Sequence, residues 1–318
     1  MRVSQNFYEI KGSENLSQSN IVLSAEEVSK HYSSFMREKK VAVDHVNLSI
    51  SKGEKVCIVG ESGSGKTTLA KILCGLINPT SGKVRFKGKS INELRGVERR
   101  FFRTQVQYIP QCPDLALDPT WYLYDSIAEP LRIHGLTSSK EDEFKKVSEV
   151  CERVGLSKDQ LRRKPKSLSG GELQRAVIAR AIILRPEIIV ADEPTSMLDP
   201  SIQAKIIGML LGLQSGSSIS IIFITHDLEI AKLVSERIFV MFDGRIVESG
   251  STYEILKNPL HPYTKSLLAG ASPKFESHIY GPCRFFDECN MSLEICRRSP
   301  PPEVEVYNGR RVRCWRYG

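Results

Sequence analysis

No apolar run in this 318-residue chain reaches the ~18 residues a helix needs to cross a bilayer. The opening segment, residues 1–20, is Ser/Asn/Gln-rich and lacks the apolar centre of a secretory signal. That segment is expected to be disordered. Both absences point to a cytosolic protein that meets a membrane only through a partner. Charge of one sign does not dominate either. The net charge is +8 and the pI near 9.0, which permits an anionic membrane surface or nucleic acid as a neighbour but equally fits a protein that handles phosphates. Hydrophobic residues at 41% and charged residues at 26% place the chain among globular proteins rather than disordered ones.

What is present begins with Gly60-Glu61-Ser62-Gly63-Ser64-Gly65-Lys66-Thr67-Thr68, which fits the pattern G-x-x-x-x-G-K-S/T. The run Lys55 to Val59 before it reads as a buried strand. Thr67 to Leu76 after it reads as a helix with Leu69, Ile72, Leu73 and Leu76 on one face. In that context the glycines let successive backbone N–H groups point into one concavity, with the helix N-terminus adding its positive end. Lys66 is then placed to reach β- and γ-phosphates and the Thr67 hydroxyl to sit on Mg²⁺.

Along the chain, Ile21–Leu23 and Val46–Ile50 suggest strands around a polar loop at 36–40. Val106–Ile109 reads as a strand after a charged stretch at 92–103. Glu141 to Val154 carries Phe144, Val147, Val150, Cys151 and Val154 at helical spacing. Ser169, with Glu172 three residues on, has the spacing of a capping box. Ile188–Ala191 and Ile219–Ile224 are short continuous apolar runs, as strands of a parallel sheet covered on both faces would be. Ile202, Ile206, Met209, Leu210 and Leu213 mark a helix between them. Asp243-Gly244, flanked by Arg237–Met241 and Arg245–Glu248, signals a hairpin. Alternating strands and helices argue an α/β core with a helical insert at about 112–184. Cys57, Cys74, Cys112 and Cys151 read as small core residues, whereas Cys283, Cys289, Cys296 and Cys314 crowd a Pro/Arg-rich tail.

Asp192-Glu193 directly follows an apolar strand. Alone the pair could simply open a turn before Pro194. Beside a phosphate loop, a carboxylate at the C-terminal end of a parallel strand can hold Mg²⁺, the role read for Asp192. Glu193 can accept a proton from an attacking water.

With these in place, Leu168-Ser169-Gly170-Gly171-Glu172-Leu173-Gln174-Arg175 resembles the signature motif of the ATP-binding-cassette (ABC) ATPases. The resemblance covers residues 21–252. It implies an α/β fold: a P-loop (RecA-like) core with an antiparallel β subdomain and a helical subdomain. It further implies that two such domains face each other, with Ser169, Gly170, Gly171 and Glu172 closing on the partner's ATP. By the same resemblance Gln111 matches the Q-loop glutamine that touches Mg²⁺ and the attacking water. Asp199, in Ser196-Met197-Leu198-Asp199, matches the D-loop. His226 matches the switch histidine and Tyr32 the ring that stacks on adenine, with Phe35 as the alternative. Two departures from the family pattern stand out, Cys112 after Gln111 and Met197 in the D-loop.

His261-Pro262-Tyr263-Thr264-Lys265-Ser266-Leu267-Leu268 is similar to the C-terminal extension of oligopeptide/dipeptide importer ATPases, here residues 253–318. Leu76–Gly82, Ala179-Arg180-Ala181 and Ser201-Ile202-Gln203-Ala204 look more like the second ATPase of a pair. The resemblance therefore implies ATP and Mg²⁺ as ligands and a heterodimer with another ABC ATPase. It also implies two integral-membrane permeases, an indirect extracytoplasmic solute-binding protein, and a place on the cytoplasmic face of the membrane. Sugar or nickel cargo, or a soluble ABC ATPase working on nucleic acid, are the competing readings. The four late cysteines, spaced C-x5-C-x6-C-x17-C, resemble those that hold an iron–sulfur (4Fe–4S) cluster in some members. Zinc is one alternative, although the paired C-x-x-C knuckles of a zinc ribbon are missing, and free or disulfide-paired cysteines are the other. The basic tail, Arg297, Arg298, Arg310, Arg311 and Arg313 with Trp315 and Tyr317, reads as a solvated face or a neighbour of phospholipid, with no nucleic-acid partner.

Overall fold

The computed structural model describes residues 20–34, 37–214, 218–270, 282–307 and 309–318. The disorder expected of the N-terminal segment and the alternative adenine ring Phe35 lie outside the described residues.

The apolar runs form the spine. Strands β3 (Lys55–Val59), β6 (Val106–Ile109), β7 (Ile188–Asp192), β8 (Ser220–Thr225) and β9 (Arg237–Phe242) run parallel in the order β9-β3-β8-β7-β6. Every residue of β7 and β8 is buried, because helices and a second sheet cover both faces. The β9–β10 hairpin turns on Asp243 (φ 40°) and Gly244 (φ 84°) into β10 (Arg245–Ser251). Positive φ at both residues is what a two-residue type I′ turn requires.

The second sheet is antiparallel, in the order β2-β1-β4-β5, from β1 (Ile21–Ser34), β2 (Arg37–Ser51), β4 (Ser81–Phe86) and β5 (Lys89–Ser90). Its long strands absorb Arg37–Lys40, expected in the loop. One apolar cluster joins this sheet to helix α1 (Lys66–Leu73) and one face of the large sheet. The other cluster joins the opposite face to α3 (Leu123–His134), α4 (Lys140–Arg153), α5 (Lys158–Leu161), α6 (Gly170–Ile182) and α7 (Pro200–Gln214). Helix α2 (Gly96–Gln105) occupies the charged stretch, holding on by Phe102. Helix α1 stops at Leu73, so Leu76 is left in solvent. Phe144, on α4, is also exposed, and Cys112 is half-buried rather than core.

Downstream, α8 (Leu228–Val234), α9 (Thr252–Lys257) and α10 (Pro262–Leu268) pack beside the sheet. The tail returns as β11 (Glu303–Tyr307) and β12 (Arg310–Arg313), which extend the large sheet past β10 through Glu248↔Val312 and Ser249↔Arg311. This corrects the solvated reading of the basic tail at Arg310. Its side chain is fully buried and its guanidinium donates to Glu248 Oε1 at 2.6 Å, Tyr307 Oη at 2.8 Å and the Asn258 carbonyl at 2.5 Å. Glu248 also accepts the N–H groups of Leu260 and His261. Two buried charges are tolerable only because each is paired and hydrogen-bonded.

Candidate nucleotide site

The site grows from the C-terminal ends of β3, β6, β7 and β8. After β3 the chain must turn under the backbone of β9 and β2, and only glycine fits. A Cβ on Gly60 would lie 2.1 Å from the Met241 carbonyl oxygen. On Gly65, at φ 104°, it would lie 2.1 Å from that of Ala42. The loop opens α1, whose first residue, Lys66, is almost wholly buried. Its ammonium donates to the carbonyls of Gly60 and Glu61, both at 2.7 Å. Burial pulls its pKa below the usual ammonium range, opposed by the carboxylates of Glu193, Asp192 and Glu61.

Asp192 closes β7 with no solvent exposure. It accepts the Thr67 hydroxyl at 3.2 Å and the Tyr108 hydroxyl at 2.8 Å. Burial raises its pKa, the two hydrogen bonds lower it, and neighbouring Glu193 adds to the rise. Glu193 itself sits at φ 43°, a region costly for a residue with a side chain. Its N–H is held by the Ile224 carbonyl at 2.9 Å. In that pose its carboxylate accepts Gln111 Nε2 at 2.9 Å and stands 3.4 Å from His226 Nδ1. Three loops after three strands thus converge on one carboxylate.

A cleft of about 840 Å³ opens over these groups. It is lined by Tyr32, Glu61, Ser62, Gly63, Gly65, Lys66, Thr67, Thr68, Gln111, Glu193 and His226. Gly60 and Ser64 stand behind the wall, where Ser64 is buried and its carbonyl accepts the Gly244 N–H. Tyr32 is 44% exposed, with the Lys30 ammonium 5.4 Å from the centre of its ring. Sequence reasoning missed the other lining residues, Lys40, Ala42, Leu267 and Gly270, and missed Tyr108 behind Asp192. Tyr108 lies opposite Val190 across the β6–β7 ladder, a pairing no local pattern announces.

The signature residues do not line this cleft. Ser169 caps α6 and forms the expected box: its hydroxyl and N–H engage Glu172, and Glu172 also takes a hydrogen bond from Gln160. Gly171 packs against Ile202, where an added Cβ would meet Cγ2 at 2.8 Å. Asp199 is exposed at the start of α7, its carbonyl accepting the N–H groups of Ile202 and Gln203.

Cys283, Cys289, Cys296 and Cys314 gather around one small cavity of about 10 Å³, together with His261, Phe285 and Trp315. All four are free thiols. Burial pushes Cys283 up to about 11 and raises Cys289 and Cys314. The donor set fits a thiophilic metal. The spacing does not close on one, since among the described residues no three Cys, His, Asp or Glu side chains are grouped to hold a metal ion. The void is about the size of one water, too small for an iron–sulfur cube as the thiols now stand, so the expected cluster is without support here.

A phosphate loop at the head of a parallel sheet, with Asp192 and Glu193 on the adjoining strand, defines a P-loop ATPase of the cassette type. Residues 43–196 match the family described as ABC transporter, and residues 247–279 match the C-terminal region of oligopeptide/dipeptide transporters. The oligopeptide transport ATP-binding protein OppF of Streptococcus mutans is 43% identical over 228 residues, covering 72% of this chain and 74% of that one. The dipeptide transport ATP-binding protein DppF of Lactococcus lactis is 41% identical over 230 residues, covering 72% and 74%. Among solved structures, a dimeric ATP-binding cassette in a post-hydrolysis state bound to ADP and Pi superposes with a TM-score of 0.66 at 32% identity, over 72% of this chain and 98% of that one. The chain belongs to the ABC transporter ATP-binding proteins, in their oligopeptide/dipeptide transporter group. Among the described residues no helix is long and apolar enough to cross a membrane.

Proposed function

We propose that this chain is the ATP-hydrolysing subunit that energises uptake of oligopeptides or dipeptides. The observation that carries the catalytic part is the Glu193 carboxylate, held between Gln111 and His226 at the mouth of the phosphate loop. Glu193 takes the proton of the water that attacks the γ-phosphate. His226 and Gln111 orient that carboxylate and the water beside it. Lys66 leaves the loop carbonyls to meet the phosphate charge, the backbone of Gly63 to Thr68 cradles it, and Tyr32 stacks on the adenine. Mg²⁺, when bound, neutralises charge on the phosphates. Thr67, Asp192 and Gln111 offer the hard oxygen donors that suit it.

Ser169, Gly170, Gly171 and Glu172 lie outside the cleft, which supports a two-domain site in which they and Asp199 serve a partner's nucleotide. The partner is a second ABC ATPase, in a heterodimer. We divide the chain into residues 1–20, an ATPase domain over 21–252 and an importer-type extension over 253–318. Peptide cargo is supported by the names of the relatives and by the C-terminal region they share. On this reading two permeases hold the chain at the cytoplasmic face, and a solute-binding protein acts on the far side.

Affinity purification of the full chain from native membranes tests the assignment. Recovery of two integral-membrane proteins and a second ATPase supports it. Recovery of no membrane protein favours a soluble ABC ATPase. The four tail thiols are the proposed seat of a thiolate-bound metal. Anaerobic purification with metal analysis separates the outcomes: brown protein with iron and sulfide, colourless protein with zinc, or metal-free protein, which removes the proposal.

A further inference from the structure

The C-terminal extension reaches into the nucleotide site. Tyr263, on α10, is completely buried. Its hydroxyl accepts the backbone N–H of Glu61 at 3.1 Å, across 202 positions of sequence. Glu61 is the second residue of the phosphate loop, and its carbonyl is one of the two that hold the Lys66 ammonium. The Gly60–Glu61 peptide is therefore gripped at its N–H by the extension and at its carbonyl by the catalytic lysine, which also holds the next carbonyl. Two further residues of this stretch, Leu267 and Gly270, line the cleft itself.

The ring of Tyr263 is fixed in turn. It lies 4.4 Å from Phe242, on β9, and 5.7 Å from Phe285. Phe285 stands between Cys283 and Cys289 in the chain and lines the thiol cavity. A hydroxyl whose ring is packed against two other aromatic rings, themselves in contact at 5.3 Å, holds a backbone donor at low entropic cost. A buried N–H deprived of its acceptor, by contrast, destabilises the conformation that buries it.

The geometry points to Tyr263 as a positioning residue for the phosphate loop, through which the cysteine-bearing extension sets the affinity of the site for ATP. The inference rests on the reading that Gly60–Thr68 cradles the nucleotide phosphates. Tyr263 does not itself line the cleft; it acts through the backbone of the loop. It holds the loop open in the shape that phosphate needs, so it acts on ground state and transition state alike.

The test uses the full chain in its purified transporter complex. Tyr263→Phe keeps the ring and removes only the hydroxyl. The expected result is an increase in the KM for MgATP of about 3- to 10-fold, with kcat unchanged and only a modest fall in melting temperature. The Glu61 amide, followed by hydrogen exchange, should exchange faster in the variant. An unchanged KM, or a fall in kcat at constant KM, overturns the proposal. Should the variant fail to fold, exchange in the unaltered protein decides: a protected Glu61 amide supports the contact and an unprotected one removes it. Wild-type protein that shows no saturable MgATP dependence instead overturns the nucleotide-site reading itself, and so is distinguishable from failure of the Tyr263 proposal.

Discussion

Replacing Glu193 with glutamine changes one property of the site and leaves the rest in place. The carboxylate accepts Gln111 Nε2 at 2.9 Å and faces His226 Nδ1 at 3.4 Å. A glutamine in the same pose can accept from Gln111 through its oxygen and turn its amide N–H toward His226. The backbone strain at φ 43° is unaltered, because the side chain keeps its size. What disappears is the capacity to take a proton. General-base catalysis contributes typically 10²–10⁴-fold, or about 3–5 kcal/mol of barrier. Steady-state phosphate release by the purified complex should therefore fall by about 10²–10⁴-fold, while equilibrium titration with MgATP finds the affinity within about twofold of wild type. Full turnover in Glu193→Gln would remove Glu193 from the catalytic role. Lost ATP binding with a folded protein would show instead that the carboxylate builds the site rather than drives the chemistry.

Other perturbations read different layers of the structure. Gly65→Ala forces a Cβ to 2.1 Å from the Ala42 carbonyl at φ 104°, so it should weaken MgATP binding more than about tenfold, measured by nucleotide titration. Arg310→Met leaves the buried Glu248 carboxylate unpaired and should cost about 3–5 kcal/mol in denaturant unfolding, with Glu248→Gln in the same chain restoring part of it. Glu143 is held below its usual pKa first by hydrogen bonds from Arg132, opposed by burial and aided to a lesser degree by the Tyr124 hydroxyl. A depressed carboxylate contributes stability above its unfolded pKa of about 4.5 and loses it as pH falls through the folded value. Glu143→Gln should thus destabilise by about 1–2 kcal/mol at pH 7, kept low by the exposure of Arg132. The gap to wild type should close in strongly acidic thermal melts.

The sequence carried the site wherever function is written in consecutive residues. Gly60–Thr68 could be read because its glycines, lysine and threonine act within one turn of chain, and Ser169–Glu172 because a capping box is a local hydrogen-bond pattern. The buried strands β7 and β8 announced themselves by unbroken apolar runs. What stayed hidden was made by distant pairings. Tyr108 reaches Asp192 only through the β6–β7 register, and Tyr263 reaches Glu61 only because α10 docks against the phosphate loop. Arg310 looked like one more cation in a basic tail, and nothing around it signals that β12 would bury it against Glu248. Leu76 and Phe144 show the opposite error: helical spacing places them inward, but α1 ends at Leu73, and Phe144 stays exposed although Val147 and Cys151, on the same face of α4, are buried.

The central claim is that ATP hydrolysis at this cleft drives peptide into the cell. It is tested most directly by reconstituting the complex purified through this chain into proteoliposomes and measuring uptake of a labelled oligopeptide. Peptide should accumulate only with MgATP, and accumulation should disappear with Glu193→Gln. Hydrolysis that proceeds normally with no ATP-dependent peptide accumulation, while a sugar or nickel ion accumulates in its place, would contradict it.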